Sequence, residues 1–196
     1  MNRVDQIWEN LRERRMYVTE EQRPYRTVLA AERKPKYRNA VLSDSLAFGV
    51  FLADTLVVSC PGATLDRLGS EVILRDLERS GVENVAVLGG TNNLVNRYQT
   101  VNDLKDVTDE LEDLITRLKA AGFSVVIMKI PGRRRFKEEI KNLKKKYKET
   151  AAKYNVGFHD GQKFTVGGLS RDGLHPAPDK IQKLSKDCFD ALRGLH

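Results

Sequence analysis

From residue 39 onward, short apolar runs alternate with longer amphipathic stretches, and that alternation leaves few folds open. The runs are Asn39-Ala40-Val41-Leu42, Leu56-Val57-Val58-Ser59-Cys60, Asn84-Val85-Ala86-Val87-Leu88, Phe123 to Ile130, and Val156-Gly157-Phe158-His159-Asp160. They are short and mostly continuous in Val, Ile and Leu, the pattern of strands buried on both faces. The stretches between them have helical spacing. Leu65, Leu68, Val72, Ile73 and Leu77 mark one helix over Leu65 to Ser80, and Leu104, Val107, Leu111, Leu114, Ile115 and Leu118 mark another over Val101 to Ala121. Gly81 and Gly122 stand where such helices stop. Phe136 to Tyr154 reads as a strongly basic helix, and Pro178 to Leu195 as a last one with Ile181, Leu184, Cys188 and Leu192 inward. Strands separated by helices, with right-handed crossovers, predict an α/β fold: a three-layer α/β/α sandwich around a mostly parallel sheet. In such sheets functional groups collect beyond the carboxyl ends of the strands.

Residues 1–38 differ. Val4, Ile7, Trp8 and Leu11 predict an amphipathic helix over residues 4–16, and Tyr17 to Lys36, polar and basic with Pro24 and Pro35, reads as a linker or wrapped arm. The expected organisation is an N-terminal helix and basic arm over 1–38 and one α/β domain over 39–196.

The chain of 196 residues is long enough for one domain with a real core. No run approaches the ~18 apolar residues of a membrane span. Met1 to Arg15 is charged throughout and lacks the apolar centre of a signal peptide, so the expected location is intracellular and cytoplasmic. Cys60 and Cys188, the two cysteines, suit buried apolar positions rather than a disulfide framework, and no Cys/His spacing suggests zinc.

Four short segments carry chemistry. Ser43-Asp44-Ser45-Leu46, Pro61-Gly62-Ala63-Thr64 and Gly89-Gly90-Thr91-Asn92-Asn93 each follow a predicted strand, and Asp172-Gly173-Leu174-His175 precedes the last helix. Ser45 offers an exposed hydroxyl, although Ser43, Asp44 and Ser45 equally suit a helix cap. Gly62 can present its backbone N–H to a ligand, and the Asn92 amide is a neutral donor suited to a developing oxyanion. Asp172 and His175 stand three positions apart, so the carboxylate can orient the imidazole. Of the three histidines, His196 is terminal and His159 lies in a predicted strand, leaving His175 as the best base.

In order and content these segments resemble the four blocks of the SGNH, or GDSL-type, hydrolases. Ser43-Asp44-Ser45-Leu46 matches the nucleophile block, Gly62 the second, Gly90-Thr91-Asn92-Asn93 the third, and Asp172 with His175 the last. The resemblance spans roughly residues 40–196. It implies a flavodoxin-like fold with a five-stranded parallel sheet, Ser45 as nucleophile, His175 as general base and Asp172 as its orienting partner. It also implies an oxyanion hole from the N–H groups of Ser45 and Gly62 and the Asn92 side chain, a small ester or acetylated substrate, and no metal or cofactor. Ser43 stands where the family has glycine, which tightens the turn before the nucleophile, and Asn93 stands where it has aspartate, which alters a contact behind the site. Within the family, the compact size and the ending Leu169 to His175 resemble the esterase-like domains encoded in the first open reading frame of some non-LTR retrotransposons. A related case is the Oskar-like SGNH domain, which lacks the catalytic serine and histidine and binds RNA; here both residues are present.

A net charge of +7 raises a second reading. Arg133, Arg134 and Arg135 are consecutive, and Lys144, Lys145 and Lys146 follow in the basic helix. Such a cluster suits a phosphate backbone, so the alternative function is a catalytically weak or vestigial fold that binds RNA or another polyanion. The segments Leu94 to Thr100, with Asn96, Arg97 and Tyr98, and Pro131 to Arg135 are expected to line the site.

Overall fold

The apolar runs form strands. The computed structural model describes residues 16–20, 26–32, 34–161, 177 and 180–195. Seven strands make one sheet: β1 (Met16–Glu20), β2 (Arg26–Ala30), β3 (Asn39–Ser43), β4 (Thr55–Ser59), β5 (Asn84–Leu88), β6 (Ser124–Met128) and β7 (Gly157–His159). Their order is β1-β2-β4-β3-β5-β6-β7. From β4 to β7 the pairing is parallel throughout, in the order second, first, third, fourth, fifth. That is the doubly wound order expected, and its direction reverses between β3 and β5, where a crevice opens beyond the carboxyl ends. Every residue of β4 and β5 is buried, as strands covered on both faces must be.

Six helices accompany the sheet among the described residues: α1 (Leu65–Leu68), α2 (Glu71–Arg79), α3 (Thr91–Leu94), α4 (Leu104–Ala120), α5 (Lys137–Lys153) and α6 (Ile181–Arg193). α4 packs on α1 and α5, and α6 lies across β5, β6 and β7. The inward faces are the predicted ones: Val107, Leu111, Leu114, Ile115 and Leu118 of α4 are buried, as are Leu184, Cys188 and Leu192 of α6. Both cysteines are buried, and burial pushes the Cys188 thiol up to about 12. None of the described helices is long and apolar enough to cross a membrane.

The structure departs from the sequence reading in two places. The arm expected over Tyr17–Lys36 contributes β1 and β2, an antiparallel pair whose second strand runs antiparallel to β4. Its polar flanks hide a short apolar run in which Val28, Ala30 and Ala31 are buried. The single helix expected over Leu65 to Ser80 is two, broken at Gly69-Ser70. A Cβ on Gly69 would stand 2.9 Å from Leu114 of α4, so the chain turns where the helices press together. Val72, placed on the inward stripe, is 45% exposed, and Ile73 and Leu77 are the buried residues of α2. The helix expected over residues 4–16 falls outside the described residues, except Met16, which opens β1.

Candidate active site

Two residues after the end of β3, Ser45 begins a one-turn 3-10 helix, Ser45–Ala47. Asp44 caps it, Oδ1 accepting from the Leu46 N–H at 2.8 Å. Ser43 is fully buried and bonded on both sides: its Oγ donates to the Leu88 carbonyl of β5 at 2.6 Å and accepts from the Ala47 N–H at 3.2 Å. A glycine at position 43 makes neither bond. Ser43 therefore ties the end of β3, the end of β5 and the turn carrying Ser45 into one unit. The Cys60 N–H donates to the Ser43 carbonyl at 2.8 Å and brings in the end of β4. Ser45 itself is half-buried.

After β4, Gly62 takes φ 76° in a turn closed by the Ala63 N–H on the Cys60 carbonyl at 2.9 Å. A Cβ there would meet nothing within 4 Å, so the positive φ, not crowding, calls for glycine, and the space beside its backbone is open.

After β5, Gly90 has φ 109°, and a Cβ on it would lie 1.7 Å from the Tyr147 hydroxyl. Tyr147 is buried on α5 and donates to the Gly89 carbonyl at 2.8 Å. Burial drives its phenol far above the ordinary tyrosine range, so it stays a neutral donor. Thr91 Oγ1 reaches Asp44 Oδ2 at 3.4 Å, linking the third block to the first.

Asn92 points toward the Gly62 turn: its Nδ2 donates to the Ala63 carbonyl at 2.9 Å. That uses one of its two N–H bonds. Asn93 faces the other way. Its Oδ1 accepts from the Leu65 N–H at the start of α1 (2.9 Å) and its Nδ2 donates to Glu110 of α4. The amide at position 93 thus satisfies a backbone donor and a carboxylate together, which an ionised aspartate cannot do. Burial and the nearby Asp66 push the Glu110 carboxyl up, against the opposing pull of the Asn93 bond.

The structure therefore brings Ser45, Gly62 and Asn92 to the carboxyl ends of three adjacent strands, at the reversal of strand order. Asp172 and His175 lie outside the described residues. His159, expected to be structural, ends β7 with its buried Nε2 3.8 Å from Asp187 Oδ1. The described residues hold no group of three His, Cys, Asp or Glu that could ligate a metal.

Solved structures share this arrangement of strands and helices. A lipase/acylhydrolase from Enterococcus faecalis superposes with TM-score 0.60 at 16% identity, over 81% of this chain and 96% of that one. A GDSL-like lipase from Bacteroides thetaiotaomicron gives 0.62 at 13%, over 81% and 89%. The fold is that of the SGNH hydrolases. The acetylxylan esterase Axe2 from Geobacillus stearothermophilus is similar too, at 0.60 and 15% over 82% and 96%. No protein-family model and no curated protein matches the sequence.

The basic residues divide. Arg134 and Arg135 are exposed and Arg133 is half-buried on the loop between β6 and α5. On α5, Lys145 and Lys146 are exposed and share Glu149 at 4.0 and 2.9 Å, Lys141 meets Glu138 at 3.7 Å, and Lys153 meets Glu112 at 2.8 Å. Lys144 is half-buried, and burial with the neighbouring Lys129 lowers its pKa. Four of the lysines on α5 are therefore met by carboxylates, three by Glu138 and Glu149 of the same helix and Lys153 by Glu112 of α4, in pairs that the lysine count alone does not reveal.

Sequence reasoning missed Tyr147, which braces the Gly89-Gly90 turn from 58 positions away. The only local signal is a tyrosine on the inward stripe of a helix.

Proposed function

We propose that this protein is a serine esterase or acyl hydrolase. In this reading the Ser45 hydroxyl attacks the ester carbonyl while His175 takes its proton, with Asp172 holding the imidazole in the right tautomer. The backbone N–H groups of Ser45 and Gly62 and the second N–H of Asn92 receive the oxyanion. The intermediate collapses as the protonated His175 gives its proton to the leaving alkoxide, leaving an acyl group on Ser45. Water activated by His175 then releases the acid by the same steps.

The observation that carries the reading is the convergence of three strand ends. A half-buried serine, a glycine of positive φ with open space beside it and an asparagine amide aimed at the glycine's turn follow three neighbouring strands of the sheet. The fold held in common with a lipase/acylhydrolase and an acetylxylan esterase supports a small ester or acetylated substrate.

The test is hydrolysis of short-chain 4-nitrophenyl esters by the wild type and Ser45→Ala. The variant is expected to lose about 10³-fold or more in kcat with its thermal melting unchanged. Equal turnover by both proteins would remove Ser45 from the mechanism.

A further inference from the structure

Two loops on the carboxyl edge each mount arginine on an aromatic ring. On the loop after α3, Arg97 lies over Tyr98 with its Cζ 4.7 Å from the ring centroid, and its Nη2 donates to the Tyr98 hydroxyl at 2.6 Å. This loop is tightly built. Val95 and Val101 bridge across its base, Asn96 Oδ1 accepts from the N–H groups of Tyr98 (2.9 Å) and Thr100 (3.1 Å), and Gln99 takes φ 61°. Tyr98 is nonetheless 72% exposed, so the loop spends its rigidity on presenting the pair to solvent. On the loop after β6, Arg133 and Arg135 lie over Phe136 at 5.7 and 5.4 Å. Phe136 opens α5 in a left-handed conformation and packs against the core, which fixes the platform.

Both mounts flank the candidate site. β5 adjoins β3 and β6 adjoins β5, so at about 4.8 Å per strand the end of β6 lies about 10 Å from the end of β3. From Lys137 to Tyr147, α5 spans about 15 Å, and Tyr147 already touches the end of β5. The first turns of α5, and Arg133 to Arg135 before them, therefore overhang the carboxyl edge. Arg97 follows Asn92 by one short helix and one bridge. Of the carboxylates around the two mounts, Glu138 meets Lys141 at 3.7 Å, Asp103 accepts from the Lys105 N–H at 2.8 Å and Asp66 accepts from the Thr64 hydroxyl, while Glu139 shares the first turn of α5 with Glu138.

A guanidinium stacked on a ring keeps in-plane N–H groups for a planar anion; Arg97 gives one of its five to the Tyr98 hydroxyl and has four left. We propose that the substrate is an ester bearing its own negative charge, recognised by Arg97 and Arg135. The inference rests on the esterase reading of the same site and names its substrate class.

The test compares kcat/KM within two matched pairs. 4-Nitrophenyl hemisuccinate against 4-nitrophenyl butyrate places the charge in the acyl half, and 4-acetoxybenzoate against 4-methylphenyl acetate places it in the leaving group. The charged member of at least one pair is expected to win by about tenfold or more at low salt, with the advantage fading as salt rises. In Arg97→Ala/Arg135→Ala the ratio falls to near one, and in Arg75→Ala, which removes an exposed arginine of α2, it holds. Parity in both pairs, or an advantage that survives the double variant, overturns the proposal and leaves the esterase reading standing. If the wild type turns over neither pair, calorimetry of monomethyl succinate against methyl butyrate on Ser45→Ala decides. Binding selective for the anion and lost with Arg97 and Arg135 upholds charge recognition while the esterase reading falls; equal or absent binding overturns it.

Discussion

The crevice between β3 and β5 and the rim above it are built in opposite ways. Ser43 and Asp44 have no exposed surface, and their polar atoms bond to β5, to α3 and to the turn that carries Ser45. Arg97, Tyr98, Arg134 and Arg135 are exposed; Arg97 and Tyr98 bond to each other, and Arg135 lies over the Phe136 ring. Buried polar networks are costly to disturb because each group left unpaired has already lost its water. Exposed side chains on loops change at little cost to the fold. In the proposed reading, chemistry that needs fixed geometry and recognition that varies with substrate are thus placed on different material along one edge of the sheet.

Substitutions in the crevice test this contrast hardest. Gly90→Ala drives a methyl into the Tyr147 hydroxyl at a positive φ and is expected to cost about 3 kcal/mol or more. Adding Tyr147→Phe removes the clashing oxygen, so chemical denaturation should show the double variant less destabilised than the two single effects summed. Next comes Asn93→Asp, which sets a second carboxylate against Glu110 and is expected to cost about 2 kcal/mol at neutral pH. The penalty should shrink on acidification, as a proton comes to be shared between the two groups.

Glu110→Gln should act in the opposite sense. The Glu110 pKa is raised in the folded protein, so its contribution is fully present below the ordinary carboxylate pKa and lost as pH rises through the raised value. The glutamine variant should escape that loss and gain in relative stability as pH rises across that window, read as melting temperature against pH. On the rim, Arg134→Ala should change stability by about 0.5 kcal/mol or less. A rim variant that unfolds the protein would erase the distinction between the two regions.

The parallel part of the sheet was legible because each strand is a continuous apolar run, and the site's polar residues sit where those runs stop. Ser45, Gly62 and Asn92 could be placed at strand ends for that reason alone. The β1–β2 pair was not legible, since its few apolar residues stand among charged neighbours and its pairing partner β4 lies further along the chain. The break at Gly69 was hidden by a helical spacing that runs straight through it. Gly69 stands where a Cβ would meet Leu114, on a helix with its own independent pattern. Asn93 was recognisable as a departure, but its reason, Glu110, is a tertiary neighbour that no local motif announces.

The phenol of Tyr147 joins α5 to the turn that precedes Asn92, and Gly90 leaves it no slack. That makes the helix a lever arm as well as a wall. Its outer face holds lysines and its inner face a rigid strut into the Gly89-Gly90 turn, so a force that shifts α5 by an ångström would carry the turn ahead of Asn92 with it.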